Sequence, residues 1–242
     1  MRVSPMSTTN HARLLARIAG VFYLIIFACA LFAYMHIRGQ LIVPGDMART
    51  ATNIVAQEQL FRTGFAAAVI CAMANLPLGF IFYELFKVVN PRLALLALVF
   101  IIASATLEAV NSLNYLAPLF PFTLPEYVNA FDDAQRQALA RGAIRTFPYG
   151  FSVSLMFFGV FCALTGLLIL KSKFLPWFLG VLMVAGGVCY EIDSLRLFLK
   201  WPDIPYLLRV TFVAEASLML WLLIFGVNEA KWRAQASAAA EA

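Results

Sequence analysis

Charged residues are scarce in this chain. Aspartate, glutamate, lysine and arginine make up 13% of its 242 residues, whereas hydrophobic residues make up 62%. Soluble domains carry about 25% charged and about 45–50% apolar residues. Because so few charges cannot cover this much apolar surface, lipid has to be the solvent for much of the protein. A soluble domain is therefore excluded as the main architecture.

The residues that usually bind metals or haem are also few. The chain has two histidines, His11 and His36, and four cysteines that all fall in apolar runs without a C-x-x-C pair. This set does not have the spacing of a zinc or haem site. We therefore expect no metal and no cofactor, and we interpret the cysteines as small residues facing lipid or the protein core.

Catalytic motifs are missing as well. The sequence has no H-E-x-x-H, no G-x-S-x-G and no phosphate-binding glycine loop. The net charge of +5 comes from short groups of basic residues near the ends of apolar runs. Such groups are typical of anchors to lipid headgroups, so we expect the lipid bilayer, and no nucleic acid, as a partner.

Long apolar runs are present instead, and they predict the fold class. About 20 helical residues cross the hydrocarbon core of a bilayer. The runs predict an all-α, polytopic membrane helix bundle of six transmembrane helices in three hairpins. The expected spans are 18–37, 64–86, 93–117, 147–170, 174–199 and 206–227. A flexible N-terminal tail (1–16), a transmembrane domain (17–228) and a polar C-terminal tail (229–242) complete the predicted organisation.

The connections alternate between long loops and tight turns. The first long loop contains Pro44-Gly45-Asp46, a turn followed by a helix cap, and apolar residues at helical spacing after it. The second contains a polar stretch from Asp132 to about Gly142. Each pattern predicts a short helix in the membrane interface. Tight turns at 87–92 and 171–173 lie on the opposite face, together with both termini.

Lysine and arginine are equally numerous on the two faces, so a bare count does not orient the chain. On the face with the termini they are concentrated in a tail and two tight turns, where the positive-inside rule has most force. We therefore predict a multi-pass protein of the cell membrane with both termini in the cytoplasm.

Polar residues inside the spans are the most informative feature for function. A charged residue at a helix centre costs about 2.5–3.5 kcal/mol on insertion scales. Counting along the helices places Glu108 and Glu215 each about 13 Å from the long-loop face, and the other polar residues lie on the same side. The candidate ligand-binding residues are Glu108, Asn111, Asn114, Asn75, Glu191, Asp193, Arg196, Arg209 and Glu215.

These residues support three hypotheses. The first is a polar vestibule on the extracytoplasmic side that binds a small molecule or lipid for sensing or transport. The second is a structural or assembly subunit whose polar groups bond between helices, with Glu108 neutral or paired to Arg196 or Arg209. The third is an intramembrane enzyme, for which we name no catalytic residue. The oligomeric state stays open.

Several short stretches resemble one bacterial membrane family. They are Arg17-Ile18-Ala19-Gly20, Leu41-Ile42-Val43-Pro44-Gly45-Asp46, Phe61-Arg62 with Gly64, Phe157-Phe158-Gly159, Ser172-Lys173-Phe174-Leu175-Pro176 with Gly180, and Tyr190 with Asp193-Ser194-Leu195. In this order they resemble the family known as domain of unknown function 4386, over about residues 13–228. The resemblance implies six helices and a bacterial inner membrane. It brings no substrate and no assigned site residues.

Overall fold

A computed structural model describes residues 11–240, and within that range the regular structure is entirely helical. The helices, numbered here in chain order, are α1 His11–Leu41, α2 Met47–Ala56, α3 Glu58–Phe86, α4 Pro91–Thr123, α5 Pro125–Ala130, α6 Asp133–Lys171, α7 Trp177–Leu199, α8 Leu207–Ile224 and α9 Glu229–Ala240. Six of them, α1, α3, α4, α6, α7 and α8, are long and apolar enough to cross a membrane. The predicted six-helix membrane bundle is confirmed, and the chain is a multi-pass membrane protein.

The six spanning helices pack in chain order around a ring. Each contacts the next, and α8 closes the ring by packing against α1. Small residues allow the closest approaches, as expected where helices associate in lipid. At Gly187 on α7, an added Cβ atom would lie 2.5 Å from the carbonyl oxygen of Gly159 on α6. At Gly20 on α1, it would lie 2.8 Å from the backbone nitrogen of Leu223 on α8.

Side-chain caps explain where several helices begin. Asp46 accepts a hydrogen bond from the backbone of Arg49 at the start of α2, as the sequence predicted. Asn90 caps α4 in the same way, and Pro91 occupies the first helical position, where its missing N–H costs nothing. Asp132 and Gln135 form a reciprocal capping box at the start of α6.

The second long loop differs from the prediction. The short helix predicted in the first long loop is present as α2, but the polar stretch beginning at Asp132 forms the first turns of α6 and not a separate helix. Its alanine, glutamine, arginine and leucine residues are strong helix formers, and the one glycine before Pro148, Gly142, costs only about 1 kcal/mol relative to alanine, which does not end the helix. The helix continues through Pro148, and the short helix in this loop is α5.

Helical structure extends into both predicted tails within the described residues. The described part of helix α1 includes residues 11–16, which the prediction assigned to the N-terminal tail, and residues 1–10 lie outside the described residues. Helix α9 packs against the bundle: the indole Nε1 of Trp232 donates to the carbonyl of Leu85, and Glu229 accepts from the backbone N–H of Arg13. These bonds occupy carbonyl and amide groups at helix ends. Residues 241–242 of the predicted C-terminal tail are likewise outside the described range.

Two groups of buried apolar side chains fill the ring at different heights. The larger group lies toward the tight turns and includes Tyr23, Phe82, Phe161, Met183 and Leu218. The smaller group lies toward the long loops, where α1, α3, α4 and α6 end, and includes Ile37, Phe61, Tyr115, Leu119 and Phe147. The side chains between these groups form the candidate site.

Candidate ligand-binding cavity

A cavity of about 240 Å³ lies inside the helix ring. We call it the central cavity. All six spanning helices contribute to its lining, which is mostly apolar. The lining side chains with polar atoms are Tyr34, Cys71, Asn75, Ser104, Glu108, Ser154, Tyr190, Thr211 and Glu215. For scale, an engineered protein cavity of roughly 150 Å³ holds benzene, so the space is large enough for a small organic molecule.

The first acid in the lining is paired with a tyrosine of another helix. The hydroxyl of Tyr34 on α1 donates to Glu108 Oε1 on α4, at 2.8 Å. Tyr34 lies in a π-helical segment, Leu31–Ile37, where α1 is locally widened. Such segments shift the direction of side chains and are frequent at functional sites. Glu108 is 9% exposed, so its carboxyl group is almost enclosed by protein.

The second acid has the same kind of partner on the other side of the cavity. The hydroxyl of Tyr190 on α7 donates to Glu215 Oε1 on α8, at 2.5 Å. Glu215 is buried. In the described part of the chain, neither Glu108 nor Glu215 forms a salt bridge. Two buried carboxyl groups with tyrosine partners therefore line one space.

The remaining polar lining groups bond mainly to the backbone. The Asn75 amide donates to Cys71 O, and the Ser104 hydroxyl donates to Ser154 O on the neighbouring helix. The Thr211 hydroxyl donates to a carbonyl of its own helix. Asn75 Oδ1 is buried and has no hydrogen-bond partner in the described structure. Most of these polar groups therefore already donate to protein acceptors, whereas the amide oxygen of Asn75 has no donor.

Aromatic side chains cover the central cavity at its long-loop end. An aromatic cluster of Tyr34, Tyr115, Phe147 and Phe151 packs at the long-loop end, with ring centroids 4.9 Å apart for Tyr34 and Phe151. The guanidinium of Arg38 lies 3.9 Å from the Phe147 centroid. The expected vestibule open to the long loops is therefore covered by aromatic rings along α1, α4 and α6.

The side between α1 and α8 is less covered. The lining residues Leu31 on α1 and Leu208 and Phe212 on α8 are 41%, 54% and 49% exposed. Nearer the tight turns the same two helices meet closely at Gly20 and Leu223. Only apolar side chains therefore separate the central cavity from the lipid-facing surface at this position.

The structure brings three of the nine sequence candidates into the central cavity: Asn75, Glu108 and Glu215. Asn111 and Asn114 lie one and two turns beyond Glu108 along α4. The Asn111 amide donates to Phe147 O on α6 and its oxygen accepts from Asn114. Its oxygen also lies so close to Gly150 that a Cβ atom there would overlap it, so this asparagine fills the contact between α4 and α6.

The other four candidates lie elsewhere. Glu191 directs a buried carboxyl oxygen at the backbone of Gly159, and that oxygen has no hydrogen-bond partner among the described residues. Arg196 pairs with Asp193 at 2.9 Å and with Asp203 at 3.0 Å, which ties the end of α7 to the following connection. Arg209 is exposed, over the ring of Tyr206. The second hypothesis allowed an ion pair of Glu108 with Arg196 or Arg209. This pair is not formed, and Glu108 accepts a hydrogen bond from Tyr34 instead.

Tyr34 and Tyr190 were not among the sequence candidates, although they bind the two acids. A signal was available, because a buried tyrosine hydroxyl usually requires a hydrogen-bond partner, and both tyrosines lie inside predicted spans. Cys71 and Thr211 also line the central cavity without having been singled out. Neither residue type is unusual in a membrane helix, so nothing in the sequence distinguished them.

The lining does not have the composition of a metal site. Within residues 11–240 no three histidine, cysteine, aspartate or glutamate residues are grouped closely enough to hold an ion. All four cysteines are free thiols, and only Cys71 lines the central cavity. The arrangement can instead accept hydrogen bonds and hold or release protons at two carboxyl groups.

Comparisons with known proteins give the family. No match was found among curated proteins or among solved structures. A family model described as "Domain of unknown function (DUF4386)" matches residues 18–226, which is most of the chain and agrees with the stretches noted in the sequence. The chain therefore belongs to the family of domain of unknown function 4386.

Proposed function

We propose that this protein binds a small amphipathic molecule or a lipid in the central cavity, as a step in sensing or transport. The observation that carries the proposal is that all six spanning helices place side chains around one cavity that contains two buried carboxyl groups. Intramembrane acids are costly, and their usual reasons are a ligand, a proton path or a partner charge. Here the partners are neutral tyrosines.

The lining supports an amphipathic ligand. Apolar side chains such as Ile26 and Phe158 provide most of the lining, and the polar atoms are few. Ligand sites commonly combine apolar walls with a small number of polar groups that orient the ligand. A purely structural role would not require an open space between the two acid–tyrosine pairs.

The position of the central cavity supports entry from the bilayer. Leu31, Leu208 and Phe212 are half-exposed at the lipid-facing surface and also line the cavity. Rotation of these side chains would connect the lipid-facing surface to the cavity without moving a helix backbone. A molecule that partitions into lipid would therefore reach the cavity between α1 and α8.

We also propose that the cavity lies in the extracytoplasmic half of the membrane. The support is the distribution of basic residues: those beside the tight turns and the termini are concentrated in short segments, as on cytoplasmic faces. The acids lie nearer to the long loops. Both termini would then be cytoplasmic.

Native mass spectrometry of the protein purified in mild detergent tests the proposal. We expect a discrete adduct on the wild-type protein that is reduced in Glu108→Gln and absent in Ala30→Phe, because Ala30 lines the central cavity and a phenyl ring would fill part of it. Glu84→Gln is the matched control, since Glu84 pairs with Lys87 outside the cavity. Thermal unfolding would verify that each variant is folded.

The outcomes separate binding in the cavity from binding at the surface. An adduct that persists unchanged in folded Ala30→Phe protein would place the bound molecule elsewhere and contradict the proposal. A bare wild-type protein, when prepared directly from native membranes and after incubation with their lipid extract, would also contradict it. In that case the polar groups would serve helix packing.

A further inference from the structure

Hydrogen bonding around the central cavity indicates what kind of ligand it recognises. The hydroxyls of Tyr34 and Tyr190 already donate to the two acids. Those of Ser104, Ser154 and Thr211 donate to backbone carbonyls. A ligand that only accepts hydrogen bonds would therefore find donors only at the second amide hydrogen of Asn75 or at a protonated acid, unless it broke one of these existing bonds.

The lining also keeps unused acceptor capacity. Each acid accepts the hydrogen bond of its tyrosine at Oε1. A carboxylate can accept about four hydrogen bonds, so acceptor sites remain on both acids even with the Cys71 thiol beside Glu108 and the Tyr23 hydroxyl beside Glu215. Asn75 Oδ1 is buried and unpartnered. Three acceptors around one cavity favour a ligand that donates hydrogen bonds.

The charge of the lining supports the same conclusion. Among the described residues that line the central cavity there is no lysine, arginine or histidine. An ionised carboxylate in such surroundings lacks the compensation that burial of a charge requires. The empty cavity is therefore favoured with its acids protonated, and a cation would be favoured with one acid ionised.

We infer that the ligand of the central cavity is an organic cation, an ammonium group on an apolar body, and that its binding releases a proton from Glu108 or Glu215. The inference rests on the proposed function, because it names the chemical class of that ligand. The exchange conserves charge: one ammonium ion enters the central cavity and one proton leaves the carboxylic acid for water. The apolar body would occupy the space toward Leu31 and Phe212, and the ammonium would face the acids.

The groups around the acids agree with this exchange. Tyr34 on α1 and Cys71 on α3 face Glu108. Around Glu215 the neighbours are Tyr190 on α7, Tyr23 on α1 and Cys162 on α6. Tyrosine hydroxyls and cysteine thiols with ordinary pKa values are uncharged at pH 7. None of these side chains therefore supplies a positive charge in place of the ammonium.

Isothermal titration calorimetry with three matched probes tests the inference. The probes are 2-phenylethylamine, a cation in neutral water, 2-phenylethanol, which is neutral, and 3-phenylpropanoate, an anion. We expect the amine to bind about tenfold or more tightly than the other two, because a hydrogen bond to a charged group is stronger than one between neutral groups. Each titration is repeated with detergent micelles alone and with Ala30→Phe.

Proton release provides the second readout. Titrations in two buffers with different ionisation enthalpies should give about one proton released per bound amine. Glu108→Gln and Glu215→Gln should each weaken amine binding, and the double variant should release no proton. Glu84→Gln should behave like the wild-type protein.

Three results would overturn the inference: equal affinity for the amine and the alcohol, amine binding without proton release, or full proton release in the double variant. The proposed function fails separately. If native mass spectrometry shows a cavity-dependent adduct while the amine does not bind, the cavity binds a ligand of another class, and only the cation is wrong. If no adduct is found either, both proposals are wrong.

Discussion

The hydroxyl of Tyr190 on α7 donates a hydrogen bond to a carboxyl oxygen of Glu215 on α8, at a distance of 2.5 Å. Tyr34 and Glu108 repeat this relationship between α1 and α4. The two pairs lie on different sides of one cavity: Tyr190 and Glu215 join the consecutive helices α7 and α8, whereas Tyr34 and Glu108 join α1 and α4 across the bundle. Each pair can therefore support both the helix packing and the chemistry of the site.

Replacing Tyr190 with phenylalanine tests the structural part of this role. Tyr190→Phe removes the hydroxyl and leaves a buried carboxyl oxygen without its donor, which we expect to lower the free energy of unfolding by about 1–3 kcal/mol. Thermal unfolding in detergent measures the change. Tyr149→Phe is the control, because Tyr149 is exposed. Equal unfolding temperatures for the two variants would show that the bond does not stabilise the fold.

The close contact between α6 and α7 gives a second prediction. Gly187→Ala places a methyl group 2.5 Å from Gly159 O and 2.8 Å from the backbone nitrogen of Ala163, so the helices have to separate. We expect a loss of about 1–3 kcal/mol of stability, typical of overpacking.

Gly142→Ala is the matched control for Gly187→Ala. Nothing lies within 4 Å of a Cβ atom at Gly142, and this glycine is exposed on α6. Alanine should be neutral or stabilising there, by up to about 1 kcal/mol of helix propensity. Two variants with the same unfolding temperature would contradict the described helix contact.

The docking of α9 gives a third prediction. Trp232→Phe keeps most of the apolar contact but removes the bond from Nε1 to Leu85 O. We expect a stability loss of about 1 kcal/mol and faster proteolysis of the C-terminal segment. Trp177→Phe is the control, because Trp177 is 68% exposed. Unchanged proteolysis of Trp232→Phe would show that α9 is not held by this bond.

The proposed orientation gives a fourth prediction. In a variant whose four cysteines are replaced, Thr52→Cys on α2 should react with a membrane-impermeant maleimide in intact cells. Lys173→Cys, in the tight turn before α7, should react only after the membrane is opened. Both side chains are exposed, so each site is accessible to the reagent on its own side. The opposite pattern would reverse the orientation and place the central cavity in the cytoplasmic half.

Half of the second acid–tyrosine pair was predictable. Glu215 stood out because a carboxyl group in an apolar run is costly, whereas Tyr190 offered only the weaker signal of a tyrosine hydroxyl inside a predicted span. The partner of Glu108 was harder to predict for a further reason. Tyr34 lies in the π-helical segment of α1, and a regular α-helical count does not give its direction.

Local properties of the chain were enough to place the six spans, the cap at Asp46, and the presence of acids within the membrane. Hydrophobic run length, turn residues and capping residues act within a few positions, so the sequence displays them directly. Two features depended on interactions over more than a few positions. Helix α6 continues through Pro148, and α9 packs against the bundle. Asn75, Glu108 and Glu215 face one cavity, whereas Glu191 and Arg209 do not. Which residues face the cavity depends on how each helix is rotated about its own axis. That rotation is set by side-chain packing between helices, which no single segment of the sequence contains.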